Sequence, residues 1–313
     1  MKKKFGLAVV ILLLLGIGTA LLQEQPSDTP NQAVAANIPA VDLAFAVLGD
    51  IHENIDNFQT AIEDLYAINP GMHALILNGD TVDQGLSKQY DSMKKTLEKN
   101  KTSLPPVMIK NIGNHEFFNY EVKMNTSEDV KTFINRYLEF AGEEKVYHDT
   151  WLSGYHFISL GSEDGNSETL DSVRAYISKD QQNWLREILA EKYEKGKPVF
   201  VFLHQHLNTN SSSGWVGSGQ GKEIEDILSQ YPEVILFTSH THHPLDETSV
   251  NSDQAFTTVH TGAVHYTIVP DGKLGRTLEP LVQGLYIEVK GNQVVIRGRD
   301  MKAHSWIFTK EIL

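Results

Sequence analysis

Apolar residues in this chain follow two alternating patterns. The first is a short unbroken run rich in β-branched and aromatic residues, as in AFAVL at 44–48, ALIL at 74–77, VMIKNI at 107–112, VFVFL at 199–203 and VILF at 234–237. Runs of this length and type predict buried strands. The second is a helical spacing. Residues 54–68 place Ile55, Phe58, Ile62 and Leu65 on one face, and Asn69-Pro70-Gly71 closes the segment. A polar helix is predicted over 87–100 and an amphipathic one over 128–141, closed by Gly142. A further helix is predicted over 180–194, burying Trp184, Leu185, Ile188 and Leu189 and stopping at Gly196, and another over 223–229. Residues 155–160 read as a strand, and the stretches 259–269, 282–300 and 305–313 as strands joined by tight turns. Strands alternating with helices predict a layered α/β structure with antiparallel members near the C-terminus. No fixed-period repeat and no second boundary interrupt the pattern, so 41–313 reads as one domain.

The first forty residues break this pattern. Lys2, Lys3 and Lys4 precede an uncharged apolar stretch from Phe5 to Leu22, which reads as a signal peptide or signal anchor over 1–22. A small-x-small pattern at Ala33-Val34-Ala35 lies well beyond the apolar stretch, so cleavage and retention both stay open. In either case the positive charges stay inside and the rest of the chain is expected outside the cytoplasm. Residues 23–40 read as a flexible linker rich in Gln, Pro, Asn, Asp and Ala.

Composition narrows the chemistry. A net charge of -13 argues against nucleic-acid binding, which draws its energy from Lys and Arg neutralising phosphates. The chain has no Cys, hence no disulfide framework and no thiolate metal site. No protein partner is inferable, and a membrane is implied only by the N-terminal segment.

Each of the five predicted strands ends in possible metal ligands: Asp50 and His52, Asp80 and Asp83, Asn114 and His115, His204 and His206, then His240 and His242. Ligand sites in open α/β sheets gather beyond the carboxyl ends of strands. Carboxylate, imidazole and amide oxygen together suit Mn, Fe or Zn. The set exceeds what one tetrahedral ion needs and is enough for a pair of divalent transition-metal ions, of the kind that promotes displacement at phosphorus.

In order and spacing, Asp50-x-His52, Gly79-Asp80-x-x-Asp83, Gly113-Asn114-His115-Glu116, the strand-end His204 and His240-x-His242 resemble the five motifs of the calcineurin-like metallophosphoesterases. The resemblance implies a four-layer α/β/β/α sandwich with two mixed sheets and a dinuclear metal site at the strand ends. It implies Asp50, His52 and His242 on one ion, Asn114, His204 and His240 on the other, and Asp80 on both. His115 would protonate the leaving alkoxide with Asp83 orienting it, while a metal-bound hydroxide attacks phosphorus. The implied substrate is a small phosphomonoester or phosphodiester. A nucleotide or cyclic-nucleotide phosphodiesterase, a phosphoprotein phosphatase and a surface binding protein that keeps the fold without turnover are the alternatives.

Two positions depart from that pattern. Ser239 stands where the last motif usually has glycine, which adds a hydroxyl close to the metals. The fourth motif offers two histidines; His204 directly follows the strand and is taken as the ligand, with His206 facing the substrate, though the reverse order stays open. Purple acid phosphatases are disfavoured, because their pattern has Tyr where this chain has Asp83. Trp215, in the loop 208–221, is expected at the rim as part of a lid over the substrate. His73, His148, His156, His243, His260, His265 and His304 are read as structural, and Glu116 as a loop hydrogen-bonder without a catalytic role.

Overall fold

The computed structural model describes residues 41–208, 215–270 and 276–312. The expected export segment and linker lie outside them. Among the described residues, no helix is long and apolar enough to cross a membrane.

The apolar runs form strands where expected: β1 (Leu43–Leu48), β2 (Ala74–Asn78), β3 (Val107–Asn111), β6 (Val199–Phe202) and β7 (Val234–Thr238). Between them lie α1 (Ile55–Ile68), α2 (Ser87–Lys99), α3 (Ser127–Ala141), β4 (His148–Leu152), β5 (Tyr155–Ser159) and α4 (Lys179–Ala190). Next come α5 (Gly221–Leu228), β8 (Val250–Asn251), β9 (Thr257–His260), β10 (Thr267–Pro270), β11 (Arg276–Glu279), β12 (Gln283–Lys290), β13 (Gln293–Asp300) and β14 (Ser305–Ile312). Local chemistry sets the helix ends. Asn54 caps α1 by accepting from the Asn57 amide. Thr126 and Asp129 form a capping box on α3, which Gly142 ends at φ +79°.

Two six-stranded mixed sheets result, with orders β14-β13-β12-β1-β2-β3 and β4-β5-β6-β7-β9-β8; β10 and β11 form a separate hairpin. Strands β1, β2 and β3 run parallel to one another, as do β5, β6, β7 and β9. Three apolar layers hold four layers of structure together. Phe58, Ile62 and Leu65 of α1 and Phe133 and Tyr137 of α3 pack on one face of the first sheet. Phe45, Phe157, Phe200 and Phe237 meet between the sheets, with Phe45 edge-on to the other three rings. Leu185, Leu189, Ile224 and Leu228 cover the outer face of the second sheet. This is the α/β/β/α sandwich anticipated above.

Two elements differ from the sequence reading. Helix α4 stops at Ala190 rather than near Gly196, because Glu191 turns to extended backbone (φ -69°, ψ 118°). The apolar stretch 259–269 is not one strand: the chain leaves the second sheet after His260 and pairs again only at Thr267. The six residues between, Thr261–Tyr266, cross over the strand ends of the first sheet, where the Val264 and His265 amides donate to the Gly49 and Asp50 carbonyls.

Candidate metal centre

Parallel strands deliver their carboxyl ends to one end of each sheet, and the five ligand-bearing turns meet there. The backbone in these turns is unusual. Asp50, His52, Asp80, His240 and His242 all have positive φ, between 50° and 72°. Left-handed backbone costs a non-glycine residue on the order of 1 kcal/mol or more, and such strain collects at functional sites. Gly79 (φ +84°) permits a close approach, since a Cβ there would lie 2.6 Å from the His204 ring.

Asp50, His52 and His242 converge on one point, and Asp80, His204 and His240 on another. His204 Nε2 lies 3.0 Å from Asp80 Oδ2, and His52 Nε2 lies 3.8 Å from the same oxygen, so Asp80 stands between the two groups. His242 Nε2 is 3.3 Å from Asp50 Oδ1. The rings are turned by their other nitrogens. His204 Nδ1 donates to the Asn78 carbonyl at 2.8 Å, and His242 Nδ1 to the Tyr266 carbonyl at 2.9 Å. His52 Nδ1 faces Asp83 Oδ1 at 3.5 Å. A proton on each Nδ1 leaves the Nε2 lone pairs facing inward.

These residues fit a pair of cations. The Nε2 atoms of His52 and His242 face each other at 3.2 Å beside the Asp50 carboxylate. Asp50 Oδ1, Asn114 Oδ1 and His240 Nε2 are buried and lack a hydrogen-bond partner. An unpaired buried polar group costs about 1–3 kcal/mol, so three from three different turns call for a shared ligand. Asn114 thus joins the histidines and carboxylates as an available oxygen donor. Burial holds His52 down to about 4 and His240 well below the ordinary imidazole range, which keeps both in the neutral form a metal needs. Burial also opposes charge on His204, but Asp80 overrides it and raises that ring to about 9.

His115 sits at the mouth with its ring 4.2 Å from that of His52. Its amide donates to Asp80 Oδ1 at 2.8 Å. His115 Nδ1 donates to the Asp83 carbonyl at 3.0 Å, and the Asp83 carboxylate oxygen is 3.4 Å from the same nitrogen. Burial lowers the His115 pKa, but the charges of Asp80 and Asp83 outweigh it and the net shift is upward. The Asp83 carboxylate is itself held below its ordinary range against burial by hydrogen bonds from His115, His52 and Tyr120.

Glu116 is more than a loop hydrogen-bonder. It is fully buried, and its carboxylate accepts from the amides of Gly113 (2.7 Å), Thr81 (2.8 Å), Asp80 (3.0 Å) and Val82 (3.4 Å). One side chain therefore ties the turn carrying Asp80 to the turn carrying Asn114 and His115. Burial and the nearby Asp80 charge push Glu116 up to about 7, against the pull of the amides.

Several expected roles shift. Ser239 Oγ bonds Asn78 Nδ2 at 2.9 Å and Thr261 Oγ1 at 2.6 Å, so the hydroxyl is consumed in a buried link beneath the site. His206, expected to face the substrate, is hydrogen-bonded within its own loop. Its Nε2 donates to the Trp215 carbonyl at 3.2 Å and its Nδ1 accepts from the Asn208 amide, which engages both nitrogens within their own loop. Trp215 lies edge-on to His240 at 5.8 Å between ring centres; residues 209–214 of the anticipated lid fall outside the described residues. His260 is half-buried and bonded to the His243 carbonyl. His265 departs from the structural reading, because its half-buried ring sits 5.4 Å from His52. Tyr266 stacks on His242 at 4.6 Å, and Phe118 packs against His115 at 4.3 Å. Sequence reasoning passed over Tyr266 and Phe118; the only signal for Phe118 was its place three residues after His115.

The family model of the calcineurin-like phosphoesterases matches residues 43–244. The chain belongs to that family. It is accordingly a phosphoric ester hydrolase of the metallophosphoesterase type, and the family implies a dinuclear metal site. No curated protein matches the sequence. Among solved structures, a dimetal phosphatase from Danio rerio is similar at a TM-score of 0.59 and 13% identity, over 87% of this chain and 99% of that one. A purple acid phosphatase from yellow lupin, Lupinus luteus, gives 0.59 and 13% over 86% of this chain but 53% of its own. A protein described as the anchor in the inner membrane complex of Plasmodium gives 0.57 and 14%, over 86% and 88%. At these identities the likeness is one of fold.

Proposed function

We propose that the protein is an exported, metal-dependent phosphoesterase acting on small phosphomonoesters or phosphodiesters. The observation that carries this reading is the convergence of Asp50, His52 and His242, with the two ring Nε2 atoms 3.2 Å apart, beside a second group of Asp80, His204 and His240. Asp50, His52 and His242 would hold one divalent ion and Asn114, His204 and His240 the other, with Asp80 on both. Such a pair, when bound, activates water as nucleophile and neutralises charge on the phosphoryl oxygens.

The rest of the chemistry belongs to side chains. With Nδ1 committed to the Asp83 carbonyl, His115 can give up a proton only from Nε2, and only as imidazolium. Its raised pKa supports that form near neutral pH. The proton goes to the ester oxygen as the bond to phosphorus breaks, so an alcohol leaves and phosphate, or a phosphomonoester from a diester, remains. Glu116 and Gly79 hold the Asp80 turn in place while this happens.

Export rests on the three lysines and apolar stretch of residues 1–22, followed by a linker over 23–40 and the catalytic domain over 41–313. The net charge of -13 favours a small phosphoester over nucleic acid. A surface binding protein keeping the fold is the second reading, since the Plasmodium anchor shares it. Against that, every ligand position of this chain is filled. The full-length protein, assayed with p-nitrophenyl phosphate and its bis ester in the presence of Mn, should hydrolyse at least one of them, and an Asp80→Ala variant neither. No metal-dependent hydrolysis from pH 5 to 9 would favour the binding protein.

A further inference from the structure

We infer that Phe118 and Tyr120 form a leaving-group subsite for a planar aromatic group on the ester oxygen that His115 protonates. The inference rests on the phosphoesterase reading and adds a substrate class to it. The Phe118 ring lies 4.3 Å from that of His115, and the Tyr120 ring 6.1 Å from that of Phe118, both measured between ring centres. The path then closes on itself. Tyr120 donates its hydroxyl to Asp83 Oδ1 at 2.9 Å, and the Asp83 carbonyl holds His115 Nδ1 at 3.0 Å.

Tyr120 is 62% exposed, yet it is tied at both ends. Its amide donates to Gln84 Oε1 at 2.9 Å, and the Gln84 amide in turn donates to Gln89 Oε1 at the start of α2. An exposed tyrosine normally rotates freely. This one presents a fixed ring at the mouth of the site, so binding against it forfeits little side-chain entropy. Phe118 is half-buried, with its ring centre 6.1 Å from that of Tyr120.

Position decides what such a surface would meet. The proton donor must lie beside the departing oxygen, so the group attached to that oxygen extends past His115. Phe118 packs against the His115 ring and Tyr120 is joined to it through Asp83, so these are aromatic side chains that flank the proton donor. Among the described residues, no Lys or Arg makes a hydrogen bond or ion pair with Asp83, His115 or Tyr120. A flat apolar ring therefore suits this rim better than an anionic group. Aromatic stacking is sequence-tolerant and depends on a π-face rather than on particular polar atoms.

The test uses full-length protein loaded with Mn and two phosphonates in which methylene replaces the ester oxygen: 2-phenylethylphosphonate and 2-cyclohexylethylphosphonate. They match in length and bulk and differ in planarity. Calorimetric titration should show about five-fold tighter binding of the phenyl compound, the scale of one stacking contact. Phe118→Leu and Tyr120→Leu should bring the ratio close to one, while Tyr120→Phe, which keeps the ring, should retain a preference above two-fold. Equal affinities in the wild type, or a ratio unchanged in both leucine variants, would overturn the subsite. Turnover of benzyl phosphate is followed in parallel. Turnover with equal phosphonate affinities rejects the subsite alone, whereas a phosphonate preference lost in the leucine variants but without turnover of any ester rejects the phosphoesterase reading alone.

Discussion

Replacing Glu116 by Gln probes how the site is held together without touching a ligand. The carboxylate accepts four amides on two oxygens: Gly113 and Asp80 on Oε2, Thr81 and Val82 on Oε1. Glutamine keeps the shape but has one acceptor oxygen, so its amide nitrogen must face one pair of N–H donors. Two buried amides then lose their partner. At about 1–3 kcal/mol for each unsatisfied group, the variant should lose about 2–6 kcal/mol. For a domain of this size about 1 kcal/mol lowers Tm by about 2 °C, which gives a drop of about 4–12 °C. The assay is thermal unfolding by calorimetry in excess chelator, so that metal binding does not contribute. Because the Asp80 and Asn114 turns separate, metal affinity should fall as well. A Tm within 2 °C of wild type would refute the claim that this carboxylate pins the two turns.

His115→Ala should lower kcat by about 10²–10⁴, with a greater loss on an alkyl ester than on p-nitrophenyl phosphate, whose leaving group needs little help from an acid. Equal losses on both esters in steady-state kinetics would remove His115 from the proton-donor role. Away from the site, buried Asp64 receives Arg299 through two bonds of 2.8 Å, so Asp64→Ala should cost about 3–5 kcal/mol in denaturant unfolding. A cost below 1 kcal/mol would mean the pair is screened. Ser239→Gly should cost about 1–3 kcal/mol by breaking the link from Asn78 to Thr261, without changing the number of bound ions. A change in metal content would place the hydroxyl among the ligands instead.

The ligand-bearing turns were readable because strand periodicity and ligand chemistry coincide: each apolar run predicts a strand, and the residue after it predicts where a side chain projects. The layered α/β class followed from the same alternation, while the four-layer sandwich came through the family resemblance. What escaped was long-range. Nothing local marks Glu116 as the acceptor for four amides, three of them from a turn more than thirty positions earlier. His265 and Tyr266 sit inside an apolar stretch that reads as one strand, and only the crossing from the second sheet to the first brings them to the site. His206 looked like a substrate contact because it sits two residues from a ligand. Its nitrogens are instead spent on Trp215 and Asn208, a turn whose hydrogen bonds composition cannot foretell. The bond from His115 to the Asp83 carbonyl is of the same kind: it adds to the nearby carboxylate, and nothing local announces it.

The claim on which the rest depends is that these turns enclose two ions sharing Asp80. Mass-spectrometric metal analysis of the purified full-length protein, after equilibration with Mn and removal of free ion, measures this directly. About two ions per chain in the wild type, and one or none in Asp80→Ala, is the expected result. A wild type holding one ion or none, or an Asp80→Ala variant that still holds two, would contradict a shared dinuclear centre.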